Sequence, residues 1–244
     1  MRKLSTHVRA CVLEAVDEGR IRVDFTRGVE LNSKIKENTE AVKHLNYNES
    51  KRLLKELVQH TQRCLLYLLL ILALQSGMRY SELLGLKRTD FDFNKNTIKV
   101  DRAMDYKKGT GLGTLKTTQA YRTLDMNEWT MNLAKQYFEQ IPPNILGLVF
   151  FNPHSKPHMV SNERAYKVLK EALDRLNIQR ITVHGLRHTH ISVLLYLVVN
   201  VLYVSKCAGH ADTNITMSTY AHLLAELQET EVAKTLKLMK AMGQ

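Results

Sequence analysis

An arginine closely follows the end of a long apolar segment. The segment 65–74 is apolar, Gly77 follows it, and Arg79 comes two residues after that glycine. A glycine in this place is typical of a helix end, so the guanidinium of Arg79 is predicted to project from a helix junction, where it can reach an anion. Glu82 stands three residues further on and can hold that guanidinium in place. From this segment alone, a surface arginine with a neighbouring partner is an equally good interpretation.

A second group of polar side chains lies between Thr182 and His190. His184 and Arg187 are three residues apart, which puts both on one face of a helix that Thr182 is predicted to cap. The first turn of a helix favours an anion because its N–H groups are free and the helix dipole is positive there. A histidine that can move a proton beside a fixed guanidinium suits a phosphate that undergoes displacement.

The same group of residues has two other interpretations. His184, His188 and His190 together could bind zinc, but no glutamate directly follows His184 and no cysteine is near, so the HExxH pattern is absent. They could also be ordinary histidines on a helix.

A histidine and a tyrosine follow near the end of the chain. His210 comes directly after Gly209 at a predicted turn, and Tyr220 stands on a short predicted helix. A tyrosine is a weak nucleophile at neutral pH because its pKa is about 10. Taken alone, Tyr220 is better interpreted as an ordinary core or surface residue, and it becomes a candidate nucleophile only together with the other groups.

Lys116 follows a glycine-rich loop at residues 109–113 and precedes a predicted strand. A lysine on a hairpin can swing towards a phosphate or a leaving oxygen, although most hairpin lysines are merely solvated. The loop does not lead from a strand into a helix, and it lacks the Gly-Lys-Ser/Thr ending of a nucleotide-binding loop. We therefore interpret it as a flexible hairpin loop.

Mainly helical elements must position these residues. Hydrophobic spacing predicts an α+β fold that is mainly α, with one small antiparallel β-sheet. The predicted strands are 97–100, 115–118 and 121–124. The predicted helices are 4–19, one from near Asn46 through Leu57, 63–75, 80–86, 127–140, one capped at Ser161 or Asn162 and ending at Leu176, 184–198, 201–208, 213–227 and 229–242.

The composition indicates a globular protein with a polyanionic partner. The chain has 244 residues, 44% of them apolar, which is enough for a large core. Its formal net charge of +11 favours nucleic acid as the partner, with a basic protein that has no such partner as the alternative. The three cysteines are far apart, which predicts neither disulfides nor a zinc knuckle and favours a cytoplasmic location. The apolar runs are too short for a membrane span.

Taken together, these groups resemble the tyrosine recombinase family. Their order is Gly-Met-Arg-x-x-Glu-Leu, a hairpin lysine, His-x-x-Arg-His, Gly-His, and a tyrosine about ten residues on. Each piece is weak, but the order and spacing together are highly specific. The resemblance covers roughly residues 40–227 and is strongest for integrases of phages and mobile elements from Gram-positive bacteria. It implies the tyrosine recombinase catalytic domain fold for residues 34–244, after a C-terminal remnant of a core-binding domain and its linker at 1–33.

The resemblance implies that the chain is a site-specific DNA recombinase. Arg79 and Arg187 would clamp the non-bridging oxygens of the scissile phosphate, and Glu82 would support Arg79. Tyr220 would attack that phosphate, giving a 3′-phosphotyrosine and a free 5′-hydroxyl. No metal or other cofactor is implied, because the phosphodiester energy is kept in the protein–DNA bond.

The same resemblance implies three further roles. Lys116 would protonate the departing 5′ oxygen, His184 would assist proton transfer at the nucleophile, and His210 would hydrogen-bond the phosphate. The implied partners are double-stranded DNA attachment sites, three further copies of the chain in a homotetramer on DNA, and accessory directionality proteins. The tail 229–242 is predicted to be an amphipathic helix that docks on a neighbouring protomer or packs on its own domain.

Two positions depart from the family pattern. Val198-Val199 stands where the family commonly has a glycine, and Cys207-Ala208 stands where a basic residue and a leucine are usual before Gly-His. Two other functions stay open: a non-cleaving DNA-binding regulator on the same scaffold, and type IB topoisomerase-like strand relaxation. The presence of every catalytic residue type argues against the first, and the closer match to integrases argues against the second.

Overall fold

The protein is described from a computed structural model, which covers residues 2–29, 44–105, 111–115, 117–155, 158–221 and 239–240. The chain divides into two compact units, Met1–Ala41 and Val42–Gln244. Their boundary falls among residues outside the described ranges, so the predicted division into 1–33 and 34–244 stays a prediction. The predicted tail helix 229–242 also falls almost wholly outside those ranges.

The described part of the first unit holds one helix, α1 (Arg2–Asp17), and the segment that follows it. The guanidinium of Arg9 donates to the carbonyl oxygens of Thr26 at 3.3 Å and Val29 at 2.9 Å. The segment therefore turns back along the helix.

The second unit is mainly helical, as predicted. The starts of its helices are fixed by side-chain caps: Asn46 and Glu49 form a reciprocal capping box, and Thr182 accepts from the backbone N–H of Gly185 at 3.0 Å. Its helices are α2 (Tyr47–Gln59), α3 (Leu65–Ser76), α4 (Tyr80–Gly85), α5 (Glu128–Gln140), α6 (Asn162–Arg175), α7 (Val183–Tyr196), α8 (Val201–Ala208) and α9 (Thr213–Thr219).

Helix α3 is the centre of the core. Every residue from Leu66 to Leu74 is buried, because α2, α5, α6 and α7 all contact this helix. A helix that is apolar on all faces is stable only when it is enclosed in this way. It ends at Gly77, whose φ of 63° lies in the left-handed region that favours glycine.

The strands form two small antiparallel sheets where one was predicted. The first has the order β1 (Phe91–Asp92), β2 (Thr97–Val100), β5 (Arg122–Asp125), and the second pairs β3 (Ala103–Asp105) with β4 (Gly111–Gly113). The register of the first sheet sets Ile98 opposite Leu124.

Two predictions about this region are wrong. The glycine-rich loop ends in a strand, because Gly111–Gly113 pairs with Ala103–Asp105. The predicted strand 115–118 is absent from its described residues, since Thr118 begins a 3₁₀ turn that buries Ala120. Within the described ranges, no helix combines the length and the apolar character needed to cross a membrane.

Candidate active site

Arg79 lies at the junction between α3 and α4. It precedes α4 in an extended conformation, and its Nη1 donates to Oε1 of Glu82 at 2.7 Å. The other carboxylate oxygen of Glu82 accepts the backbone N–H of Arg79 at 2.9 Å. Nη2 of Arg79 donates to the carbonyl oxygen of Gly209 at 3.0 Å. The side chain stays 36% exposed, so the guanidinium is fixed but accessible.

Glu82 is held by a second arginine that the sequence analysis missed. Nη2 of Arg122 donates to Oε2 of Glu82 at 2.8 Å, and both side chains are almost fully buried. Arg122 also donates to the carbonyl oxygens of Cys207 at 2.7 Å and Ala120 at 2.8 Å. Burial raises the pKa of Glu82, but Arg122 and Arg79 outweigh it, so the pKa is lowered and the carboxylate is charged.

Gly209 allows this arginine to pack closely. Its φ of +64° is left-handed, and an added Cβ would lie 2.9 Å from Nη1 of Arg122. Strand β5 is thereby joined to α4 and to the end of α8. The only hint in the sequence was an arginine within a predicted strand, which does not reveal contacts this distant in the chain.

Arg187 is the most deeply buried cation of the site. Its side chain donates from Nη1 to the carbonyl oxygen of Gly77 at 2.8 Å, and the residue is only 3% exposed. Its Nη2 is buried without a hydrogen-bond partner among the described residues. Burial and the nearby charge of Arg79 lower the pKa of Arg187 to about 9. An anion placed here would satisfy the unpaired N–H and stabilise the charge.

His210 directly follows Gly209, the residue at which α8 ends. Its Nδ1 is 2.7 Å from the hydroxyl oxygen of Thr216 on α9. Burial, followed by the charges of Arg187 and Arg79, lowers the pKa of His210 to about 4. The imidazole is therefore neutral at physiological pH and close to both arginines.

Tyr220 directly follows α9 and is almost fully buried. Its ring is 1% exposed and packs with Ile191, Leu195, Val204 and Ala208. Burial raises the pKa of its phenol, and the charge of Arg187 opposes that rise. The nucleophile predicted from the sequence is thus a core side chain whose hydroxyl faces a polar group.

That polar group is His188, for which the sequence predicted no contact with Tyr220. Its Nδ1 lies 2.6 Å from the hydroxyl oxygen of Tyr220. The ring of His184 contacts His188 edge to face, with 4.8 Å between ring centroids. Desolvation, Arg187 and Arg79 lower the pKa of His184.

The three histidines of the zinc interpretation do not converge on one point. His190 turns to α3, where its Nδ1 is 3.0 Å from the carbonyl oxygen of Leu74. Across the described ranges, no group of three histidine, cysteine or acidic residues could hold a metal ion.

Most of the predicted site residues thus lie in one place. Direct contacts link Arg79 to Glu82, and Arg187 contacts Gly77 at the same helix junction as Arg79. His210 follows the glycine that Arg79 contacts, and Tyr220 contacts the residue after Arg187. Lys116 lies outside the described residues, between β4 and the 3₁₀ turn before β5.

This arrangement offers a phosphate two guanidinium groups, neutral histidines and a tyrosine hydroxyl. Comparison with known proteins matches residues 43–226 to the model of the phage integrase family. The integrase of Staphylococcus phage L54a is 30% identical over 177 residues, which are 67% of this chain and 49% of that protein. A tyrosine recombinase XerC-like protein of Caldanaerobacter subterraneus subsp. tengcongensis is 29% identical over 188 residues, 69% of this chain and 48% of that protein. The chain spans about half the length of these curated relatives.

Solved structures share the fold. The Tn1549 transposon integrase in complex with circular intermediate DNA superposes with a TM-score of 0.71 and 20% identity, covering 93% of this chain and 78% of that chain. The XerH site-specific recombinase bound to palindromic difH substrate gives a TM-score of 0.64 and 20% identity, covering 84% and 57%. At 20% identity, these superpositions show that the folds are alike and nothing about function.

Proposed function

The chain belongs to the phage integrase family, and on that premise we propose that it is a site-specific DNA recombinase that cuts and rejoins strands through a 3′-phosphotyrosine at Tyr220. The observation that carries the proposal is the buried, unpaired Nη2 of Arg187 beside the fixed guanidinium of Arg79. A protein that buries a guanidinium without satisfying it leaves room for an anionic partner. The phosphodiester of DNA is that anion.

Arg79 and Arg187 bind the non-bridging oxygens of the scissile phosphate. As Tyr220 attacks, the pentacoordinate phosphorus gathers negative charge on those oxygens, and preorganised donors stabilise that charge more than the ground state. Glu82 keeps Arg79 in position, because its carboxylate contacts both the backbone and the guanidinium of that residue. Most of the catalysis of phosphoryl transfer comes from positioning and charge stabilisation of this kind.

The remaining residues donate a hydrogen bond to the phosphate or take part in proton transfer. His210 donates a hydrogen bond to the phosphate, and His184 assists proton transfer. Lys116, outside the described residues, protonates the departing 5′ oxygen. The reverse reaction with the 5′-hydroxyl of another strand releases Tyr220 and completes the exchange.

The partner is double-stranded DNA at attachment sites. Support comes from the net charge of +11 and from relatives of the same fold, the Tn1549 integrase in complex with circular intermediate DNA and XerH bound to difH substrate. A homotetramer on DNA, accessory directionality proteins and a bacterial cytoplasmic location complete the proposal, and these three points rest on family membership alone.

The decisive experiment is covalent capture on DNA. A pool of nicked duplexes with randomised sequence is incubated with the protein, and adducts are separated on a denaturing gel and sequenced to identify the site. Tyr220→Phe removes only the hydroxyl, so we expect it to abolish the adduct and to leave DNA binding unchanged. Tyr196→Phe, at an exposed tyrosine of α7, is the matched control and keeps the adduct.

Each alternative function has its own outcome. An undiminished adduct with Tyr220→Phe removes Tyr220 as the nucleophile. Binding without any adduct from the unmodified chain points to a non-cleaving regulator. Relaxation of supercoiled plasmid without a preferred sequence points to topoisomerase-like activity.

A further inference from the structure

The hydroxyl of Tyr220 lies against a single nitrogen atom in an otherwise apolar setting. Its oxygen is 2.6 Å from Nδ1 of His188, whereas its ring packs among aliphatic side chains of α7 and α8. A phenol in such surroundings needs a hydrogen-bond partner, because an unsatisfied buried hydroxyl costs about 1–3 kcal/mol. The position and the orientation of the hydroxyl are therefore set by His188.

The groups around His188 keep its imidazole neutral. Its own helix presents His184 and Arg187, the segment before α2 presents His44, and α9 presents Tyr220. Burial, His184, Arg187 and His44 lower the pKa of His188 to about 4. A neutral imidazole whose Nδ1 faces a hydroxyl can accept that hydroxyl's proton, with the ring hydrogen on Nε2.

We propose that His188 is a catalytic residue of the reaction: it accepts the hydrogen bond of Tyr220 and then takes the phenolic proton as the tyrosine attacks phosphorus. This inference rests on the proposed function, since it concerns the same nucleophile. Nothing in the spacing of the sequence assigned this role, because His188 differs from His184 only by lying one helical turn further along α7.

The step balances as a single displacement. The bond from Oη of Tyr220 to phosphorus forms, the bond from phosphorus to the 5′ oxygen breaks, and the phenolic proton moves to Nδ1 of His188. The 5′ oxygen receives its proton from Lys116. On rejoining, the 5′ oxygen attacks, Oη leaves, and His188 returns the proton to it.

The transfer must accompany the attack rather than precede it. A phenol whose pKa is raised by burial above its ordinary value of about 10 does not lose its proton to an imidazole whose pKa is about 4. Binding of a phosphate offsets the positive charge of Arg187 and so raises the proton affinity of His188. Formation of the aryl phosphate then removes the phenolic oxygen as a competing base, and the proton passes to Nδ1.

Two substitutions separate the chemistry from packing. His188→Phe keeps an aromatic ring against His184 but removes both nitrogens, and His188→Asn keeps a hydrogen-bonding group near Nδ1 without its basicity. The rate of adduct formation is measured on the duplex captured with the unmodified chain, together with DNA affinity and thermal stability. We expect both variants to lose roughly 100-fold or more in rate, as for a general base, while DNA affinity stays within about threefold.

A matched control is available on α2. His60 is also partly buried, its Nδ1 is 2.8 Å from the carbonyl oxygen of Glu56, and its ring stacks on Tyr67 at 5.6 Å. His60→Phe therefore reproduces the loss of a histidine beside a tyrosine, outside the helices that form the site. We expect it to keep the rate of the unmodified chain.

A sulfur-substituted substrate shows whether His188 acts on the nucleophile or on the leaving group. When the bridging 5′ oxygen is replaced by sulfur, the thiolate leaves without protonation, so a defect in the leaving-group acid is repaired. We expect His188→Phe to stay slow on this substrate, because its defect lies at the nucleophile.

The outcomes distinguish this proposal from the function on which it rests. If the unmodified chain forms an adduct and either His188 variant keeps its rate, His188 is not the proton acceptor, and the recombinase function stands. Recovery of His188→Phe by the sulfur substrate also overturns the proposal. If the unmodified chain forms no adduct on any duplex, the recombinase function itself fails.

Discussion

The guanidinium of Arg187 shows how a single residue can be prepared for a ligand. Nη1 is satisfied by the carbonyl oxygen of Gly77, which fixes the plane of the group, and Nη2 is left unpaired among the described residues. Leaving such a group unsatisfied costs about 1–3 kcal/mol. That cost is returned when an anion binds, so the unpaired Nη2 favours an anion-bound state.

A simple anion should therefore stabilise the fold through this residue. Sulfate added at constant ionic strength is expected to raise the thermal midpoint, because a ligand that binds only the folded state stabilises it by about 2.7 kcal/mol at roughly 100 times its Kd. Arg187→Gln should remove that dependence on sulfate. The measurement is thermal unfolding across a sulfate series.

The control for this experiment is an arginine outside the site. Arg180 is exposed and pairs with Asp174 at 2.7 Å, so Arg180→Gln should keep the full rise with sulfate. An Arg187→Gln variant that responds to sulfate as the unmodified chain does would show that the anion binds elsewhere.

Individual residues were predictable from sequence when their partners were near in the chain. Arg79 and Glu82 are three residues apart, and their contact followed from helical spacing. Arg122 reaches Glu82 from forty residues away, and Tyr220 reaches His188 from thirty-two. Such contacts depend on how helices and strands pack, which local spacing does not determine.

At the scale of elements, the turn between α7 and α8 carries backbone strain. Val198 has a φ of 60°, in the region that glycine adopts freely and β-branched residues avoid. Val198-Val199 stands where a glycine is usual in the family. Val198 thus adopts the left-handed backbone conformation that a glycine would adopt at this turn.

Val198→Gly should stabilise the protein. A left-handed conformation costs a residue with a Cβ about 1–2 kcal/mol, and the extra chain entropy of glycine offsets about 0.5–1 kcal/mol of the gain. Little buried surface is lost, because Val198 is 56% exposed. Urea unfolding at an unchanged m-value should show a gain of up to about 1 kcal/mol.

The neighbouring valine provides a control of opposite sign. Val199 is of the same type but packs against the cluster that holds Tyr220. Val199→Gly should lower the free energy of unfolding, because it loses buried surface and adds chain entropy. A loss of stability in both variants would contradict the strain at Val198.

Elements were predicted well where one local pattern dominated. The apolar run of α3 and the caps of α2 and α7 gave those helices correctly. The second sheet was missed because β4 is built from Gly111–Gly113, whose residues have no strand preference and pair only through the backbone of β3. The predicted strand 115–118 was wrong for the opposite reason. Its two threonines favour a strand, but no described strand lies beside them to pair with.

At the scale of the molecule, several half-buried histidines make folding sensitive to acid. Burial, as the largest cause, lowers the pKa of His188, His190 and His210 to about 4 each. An unfolded chain takes up these protons near pH 6.5. Between about pH 6.5 and 4 the unfolded state binds more protons, so the free energy of unfolding falls as the pH falls.

The contribution of one of these histidines can be measured separately. Thermal midpoints should be level above pH 7 and should fall steadily towards pH 4.5. His190→Gln removes a half-buried titrating group that contacts α3, and it should make that fall less steep, whereas His154→Gln at an exposed position should not change it. A stability that is constant from pH 7 to pH 5 would show that these histidines take up protons over the same pH range in the folded and the unfolded state, and so that their pKa values are not lowered by folding.

Helix α3 sets a constraint on how this chain can change. It is enclosed by four helices, and it ends at the junction from which Gly77 contacts Arg187 and Arg79 contacts Gly209. One residue inserted into it would turn everything beyond the insertion by about 100° and advance it by about 1.5 Å. Arg187 would then lose Gly77 and Arg79 would lose Gly209, with every candidate site residue still present. Length variation among relatives that keep both contacts should therefore be confined to the loops around this helix. The number of residues in α3 then indicates whether a diverged copy can still form the proposed site.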